Sequence, residues 1–492
     1  MPARPAGFWQ LLLGYTVLDA LRRASFVVLL PLYLATLQPD AIGAFVLYNV
    51  AAALLATAAN LRLDAAMRTL YFDFGDDAGS QERYLAIVFS TSLLLILATT
   101  ALMLAIGPRV YQSLAVNAQL EFFPYGFIAV ATAFANTALA PYFAFLRNRR
   151  ALSEFAVFSV FLIVANIAAQ SWFLLGLGWG LEGALAGALL PPLLLLLWLL
   201  ASRPRQLLIW PSGSAVTSSL RFSVPLVAFS LLFLLESRLD RFFVERFLGL
   251  ESLGAYGVLA ALLGLTPMLL HGLDASIRPW LYRALGSGAA DAAHSIDGFG
   301  RLYIGCGLTT LSLIVCAGSM LGLITDDARY LAVRDWVPVG VSALVPLLFT
   351  RYWALLYLYN KKTLRLSGWT LVRTVLMCLL LYLLVPRFGV EGALAALFFS
   401  QLLNAIVFAY ELSRVAGHAV NRAALIAPPA VFLGILWCSK WLIPDDAYLL
   451  FCVSQVVLFL ATMAVVHRHA PTELGLLLQA SDSAAEPARG AS

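Results

Sequence analysis

Apolar runs of about 20 residues, broken by short polar or turn-forming stretches, recur along the chain to about position 467. Coiled as a helix, a run of that length matches the hydrocarbon thickness of a bilayer. The pattern therefore predicts an all-α polytopic membrane protein with about fourteen transmembrane helices. The predicted spans are approximately 9–36, 42–62, 83–106, 122–145, 153–176, 182–201, 219–246, 252–276, 301–324, 337–359, 367–385, 391–413, 423–443 and 447–467. The basic start, Met1 to Arg4, leads into an apolar segment that carries Asp19, Arg22 and Arg23, which reads as a first span rather than a cleavable signal. No connection exceeds roughly 25 residues.

The spans carry an internal repeat. Ile42-Gly43-Ala44-Phe45 recurs as Leu253-Gly254-Ala255-Tyr256, and Leu63-Asp64-Ala65 with Arg68 recurs as Leu273-Asp274-Ala275 with Arg278. Asn148-Arg149-Arg150-Ala151-Leu152 is echoed by Asn360-Lys361-Lys362-Thr363-Leu364, and Gly180-Leu181-Glu182-Gly183-Ala184 by Gly389-Val390-Glu391-Gly392-Ala393. All four matches are collinear at an offset of about 210 residues, which a chance origin does not supply. Each repeat holds six helices, an even number, so both copies insert with the same orientation as parallel repeats. The predicted organisation is an N-lobe at 1–201, a cytoplasmic linker at 202–218, a C-lobe at 219–415, two further helices at 416–470 and a disordered cytoplasmic tail at 471–492.

Composition excludes a soluble protein: 61% of the residues are hydrophobic and only 12% charged, with a mean hydropathy of +0.86. A net charge of +5 is too small to argue for nucleic acid as a partner. The distribution of charge says more. Connections after even-numbered spans hold about sixteen Lys and Arg, those after odd-numbered spans about six, so the positive-inside rule places both termini in the cytoplasm. The five cysteines lie in apolar stretches without metal-ligand spacing, so neither a metal nor a cofactor is expected.

Charged side chains inside the predicted spans are functional candidates, since each costs about 2.5–3.5 kcal/mol at the bilayer centre. The first span carries Asp19, Arg22 and Arg23 near mid-depth, and the carboxylate lies three and four positions before the two arginines. The seventh carries Glu236, Arg238, Asp240 and Arg241, with the two arginines on one face and the two carboxylates on another. Arg351 in the tenth has no acidic residue within a turn. Asp64/Arg68 and Asp274/Arg278 form i,i+4 pairs at the cytoplasmic ends of the second and eighth spans, either as interfacial ion pairs or as a cytoplasmic gate. Several partly compensated guanidiniums around a hydrated cavity would attract a phosphate or diphosphate group, whereas a cavity for cationic drugs calls for unpaired carboxylates and aromatic faces.

Pro225, Asp240-Arg241, Gly254, Tyr256, Pro279 and the two Gly-x-Glu-Gly-Ala-x-Ala elements, set in two parallel six-helix repeats, resemble the Wzx-type polysaccharide flippases. These belong to the multidrug/oligosaccharidyl-lipid/polysaccharide (MOP) exporter superfamily, which also holds lipid II flippases and multidrug and toxin extrusion transporters. The resemblance covers roughly 9–415 and implies a flippase, not an enzyme, of a bacterial inner membrane. Its substrate would be an undecaprenyl-diphosphate-linked oligosaccharide, moved by alternating access with H+ or Na+ as coupling ion. Membrane lipids, a polysaccharide polymerase and glycosyltransferases are the other partners implied. Related lipid II flippases line their cavity with arginines of helices 1, 2 and 8, where this chain offers Arg22, Arg23, Arg68 and Arg278. Their extra helix pair, which forms a groove for the lipid tail, resembles spans 13 and 14.

On this reading Arg22, Arg23, Arg238, Arg241 and Arg351 bind the diphosphate, and Asp19, Glu236 or Asp240 exchanges partners during the switch. The rival readings are a multidrug or cation antiporter of the same superfamily, a membrane-embedded polymerase or glycosyltransferase, and a scaffold for polysaccharide synthesis. The excess of intramembrane arginine argues against the antiporter. The enzyme would need a large catalytic loop, and His271, His294, His418, His467 and His469 form no cluster along the chain.

Overall fold

The computed structural model describes residues 8–464 apart from 75–76, 115–120, 212, 287–288, 326, 361, 417–421, 444–449, 452 and 463. Within its helices the side chains of Asp19 and Arg23 lie outside the described residues, as does the predicted tail at 471–492. The protein is an all-α polytopic membrane protein, with no strand among the described residues. Eleven helices there are long and apolar enough to cross a bilayer, and the 47-residue one, Arg365–Glu411, is two spans joined at Gly389. Helix Phe8–Thr36 and the shorter apolar helix Val453–Thr462 fill the remaining predicted positions.

Several hydroxyl side chains within these apolar helices are satisfied locally. Thr57, Thr91, Thr132, Thr310, Thr350 and Thr370 each donate to the carbonyl four residues earlier, which removes the desolvation penalty a bare hydroxyl would carry in hydrocarbon.

By its contacts the chain divides into two compact units, Met1–Gly257 and Val258–Ser492. The first contains α1 (Phe8–Thr36), α2 (Pro39–Ala59), α3 (Leu63–Leu70), α4 (Ala78–Leu114), α5 (Phe127–Asn148), α6 (Leu152–Ser171), α7 (Gly180–Ser202), the single turn α8 (Pro204–Leu207), α9 (Ser214–Glu236) and most of α10 (Leu239–Leu263). Helix α5 is its centre, packed on α2, α3, α4 and α7, while α1 lies along α6. Helix α9, which opens the second sequence repeat, packs on α2, α3 and α4, and Tyr84 of α4 hydrogen-bonds Ser219 of α9 at 2.9 Å.

The second unit contains α11 (Leu265–Gly286), α12 (Ala289–Ser319), α13 (Ala328–Tyr359), α14 (Thr363–Ala416) and α15 (Arg422–Leu442). Helix α13 is its core and is largely buried, whereas α14 turns Val375, Leu379, Phe399 and Ile406 outward. An outward apolar surface of that extent is stable only against hydrocarbon or another protein. Helix α15 docks on α12 and α13, where Trp437 donates to Ser342 at 3.1 Å and Lys440 pairs with Asp335 at 2.6 Å.

The repeated Gly-x-Glu-Gly-Ala elements have a common conformation. Gly180 and Gly389 both adopt positive φ, +58° and +60°, at the reversal between consecutive helices, where an L side chain is strained. Three residues on, Gly183 and Gly392 face carbonyl oxygens of the preceding helix end, so closely that a Cβ would lie 3.1 Å from that of Phe173 and 2.3 Å from that of Leu384. The first glycine makes the turn and the second admits the backbone.

Candidate functional site

Three groups of charged residues interrupt the apolar helices. In the first unit the seventh predicted span is not one continuous helix, because α9 ends at Glu236 and α10 begins at Leu239. Ser237 and Arg238 form the turn between them, their N–H groups donating to Phe233 and Leu235. The expected faces, arginines on one side and carboxylates on the other, are therefore rearranged. Arg241 donates to Asp240 at 3.0 Å and to the carbonyl of Ser237 at 3.1 Å. The Tyr256 hydroxyl donates to the other oxygen of Asp240. Asp240 is thus buried and held from two sides, and Glu236 is buried beside the turn. Arg238 is half-buried and makes no ion pair among the described residues.

A second feature joins this group. α10 bends at Gly249, φ +82°, and its later half returns to meet the start of α2. A Cβ on Gly43 would lie 2.1 Å from the carbonyl oxygen of Leu250, and one on Gly254 would lie 1.8 Å from that of Pro39. The two glycines are repeat equivalents, and each admits the other helix's backbone. Asp240-Arg241, Gly254 and Tyr256, which carried the sequence resemblance, therefore fall in one local structure.

The other groups surround the repeated Asp residues. Asp64, buried in the first turn of α3, accepts from Arg68 at 3.0 Å and lies 3.7 Å from Arg62. Arg62 itself has φ +58° in the turn that separates α2 from α3. In the second unit Asp274 is equally buried, but its partners come from other helices: Tyr303 of α12 donates to it at 2.8 Å, and Arg351 of α13 lies 3.6 Å away. Arg278, expected as its i,i+4 partner, is exposed. Tyr303 was not singled out in the sequence, where neither spacing nor composition distinguishes it.

On α1, the Arg22 guanidinium lies 4.6 Å over the ring of Phe143 on α5, a cation–π contact. Asp19 and Arg23, the other candidates there, lie outside the described residues. At one end of the first unit Arg203 pairs with Glu154 at 2.7 Å, and Tyr142 donates to the same carboxylate at 2.8 Å. In the second unit Tyr357 donates to Glu411 at 2.6 Å. Among the described residues no three His, Cys, Asp or Glu come together as a metal site. The arrangement suits binding and exchange of ionic partners: the buried carboxylates of Asp64, Asp240 and Asp274 are each already held, and arginines lie within reach of apolar walls.

No family profile matches the sequence, and no curated relative matches it. Solved structures share its fold. The inward-facing conformation of a multidrug resistance MATE family transporter of the MOP superfamily matches 82% of this chain and 95% of its own, with a TM-score of 0.59 at 16% identity. Lipid II flippase MurJ, in an inward closed conformation, matches 92% of this chain and 97% of its own, with a TM-score of 0.57 at 10% identity. A MOP superfamily transporter from Pyrococcus furiosus matches 84% and 99%, with a TM-score of 0.52 at 15% identity. The chain has the fold of the MOP superfamily transporters.

Proposed function

We propose that this protein is a flippase that carries an undecaprenyl-diphosphate-linked oligosaccharide from the cytoplasmic to the periplasmic leaflet of a bacterial inner membrane. The observation that carries the reading is Arg238, a half-buried guanidinium at a break between apolar helices whose neighbouring carboxylate, Asp240, is already held by Arg241 and Tyr256. A guanidinium in a membrane that makes no ion pair among the described residues calls for an anionic ligand, and its planar fork matches a diphosphate. Arg22, Arg23, Arg241 and Arg351 complete the proposed set. The sugar headgroup could not cross hydrocarbon unaided, because each stripped hydroxyl costs several kcal/mol. A hydrated path between the lobes removes that cost while the lipid tail stays in the bilayer.

In this mechanism the two lobes alternate between inward-open and outward-open states, driven by H+ or Na+. Asp19, Glu236 or Asp240 exchanges partners as they do so, and the Asp64/Arg68 and Asp274/Arg278 positions act as the cytoplasmic gate. Support comes from the likeness to lipid II flippase MurJ, which extends over 92% of this chain against 82% for the MATE transporter. Polysaccharide polymerase and glycosyltransferases are the proposed partners on either side of the step.

The test is a deletion strain. The lipid-linked sugar is expected to accumulate on the cytoplasmic side, to be cleared by the wild-type gene, and to clear about tenfold more slowly or worse with R238Q at equal membrane abundance. Full complementation by R238Q removes the assignment. One observation favours a second reading, a multidrug antiporter: the TM-score of 0.59 to a MATE transporter is as high as that to the flippase. For the Pyrococcus furiosus transporter, reverse polarity of the binding pocket suggests a different function. Heightened drug sensitivity of the deletion strain without sugar accumulation would favour the antiporter.

A further inference from the structure

The segment joining the two repeats is built into a cavity rather than left as a tether. Glu82, Arg83, Ala86 and Ile87 of α4, with Arg205, Gln206, Ile209 and Trp210 of the linker, line a space of about 400 Å³ in the first unit. Its walls are fixed by hydrogen bonds. The Ser90 hydroxyl on α4 donates to the carbonyl of Leu207 at 2.9 Å and accepts from the N–H of Ile209 at 3.1 Å. Just beyond the linker, Tyr84 and Ser219 join α4 to α9.

Charge in this cavity is unbalanced. The carboxylate that lines it, Glu82, is engaged by Arg149 at 3.1 Å. Arg83 and Arg205 make no ion pair among the described residues, although both are exposed at its mouth. Two guanidiniums with no ion pair among the described residues, beside a wall of Ala86, Ile87, Ile209 and Trp210, form a site that is cationic on one side and apolar on the other. Its depth fits that division. Arg83 lies in the first turns of the span that begins at Gly79, and the linker runs between the spans that end at Ser202 and begin at Ser214. Trp210 is 81% exposed and Leu208 44%, at the level where amphipathic rings anchor to a bilayer surface.

We propose that this cavity binds the headgroup of an anionic phospholipid, of the phosphatidylglycerol class. Arg83 and Arg205 pair with its phosphodiester, and Ile87, Ile209 and Trp210 receive the glycerol and the first acyl methylenes. A guanidinium pair matches a phosphodiester better than a zwitterionic headgroup, whose own ammonium competes for the phosphate. The volume lies within the range of small-ligand sites. Because the linker joins the repeats, an occupant would brace it against α4. The site is separate from the proposed diphosphate residues, so either assignment can fail without the other.

Full-length protein in detergent is titrated with phosphatidylglycerol or phosphatidylcholine, and bound lipid is counted by native mass spectrometry. Quenching of Trp210, isolated by comparison with W210F, is followed with brominated forms of each lipid. We expect phosphatidylglycerol to bind at least tenfold more tightly than phosphatidylcholine, and R83Q/R205Q to erase that preference with an unchanged thermal midpoint. The single variant R205Q, in the exposed linker, loses about threefold or more and serves as the second variant. Equal affinities for the two lipids, or a phosphatidylglycerol affinity untouched by R205Q, overturns the proposal. Displacement of brominated phosphatidylglycerol by millimolar inorganic phosphate reassigns the cavity to a soluble anion and overturns the lipid assignment.

Discussion

Asp240 and Tyr256 show what a single buried contact does in this protein. The hydroxyl of Tyr256, itself buried, satisfies a carboxylate that the adjacent Arg241 reaches from the other side. Removing a hydrogen bond to a buried charged group costs about 1.5–3 kcal/mol. Y256F is therefore expected to lower the unfolding free energy in detergent by that amount, measured by chemical denaturation, whatever the substrate proves to be. At the surface, Asp327 caps α13: its carboxylate accepts from the side chain and then from the backbone N–H of Arg329, and these bonds hold its pKa below the ordinary carboxylate value. A depressed folded pKa means the contribution is complete above the unfolded value of about 3.9 and is lost as pH falls through the folded one. The stability gap between wild type and D327A should stay constant from pH 5 to 8 and narrow only below about pH 4, which thermal melts across pH will check.

At the scale of elements, the glycines separate two kinds of helix contact. Gly254 faces the carbonyl of Pro39, which cannot yield without moving α2, whereas Gly368 in α14 has nothing within 4 Å. G254A is expected to lower the thermal midpoint in detergent by several degrees or prevent assembly, in line with overpacking costs of about 1–3 kcal/mol. G368A should leave the midpoint unchanged or raise it, because alanine is the better helix former by about 1 kcal/mol. Equal effects of the two substitutions would show that the α2–α10 contact is looser than the geometry gives. The same reasoning explains why the repeat was legible. Gly43 and Gly254 recur because both sides of one crossing need room for backbone, and Gly180 and Gly389 because both turns need positive φ.

For the whole molecule, the charge distribution predicts orientation. A C-terminal fusion should be active as green fluorescent protein and inactive as alkaline phosphatase. Alkaline phosphatase inserted in the connection near Arg246 or Arg387, after odd-numbered spans, should be active. The reverse pattern would place both termini outside and invert the proposed direction of transport. By contacts, the boundary between compact units falls at Gly257/Val258, while the sequence repeat predicts a boundary in 202–218. The difference has a physical basis: the repeat records which segments correspond, whereas compactness records which segments touch, and α9 touches α2, α3 and α4.

Local composition determined the spans and the repeat, because a bilayer imposes one length and one polarity on every crossing and a turn at positive φ favours glycine. Asp64 and Arg68 could likewise be paired from sequence, since four residues on a helix are always neighbours. The partners of Asp274 could not. Tyr303 and Arg351 arrive from helices 29 and 77 positions away, and their approach depends on how α11, α12 and α13 pack. Tertiary structure alone also broke the seventh span at Ser237–Arg238 and closed the linker cavity around Arg83 and Arg205. Hydropathy counts which residues avoid water, but carries no term for which side chains meet once they have left it.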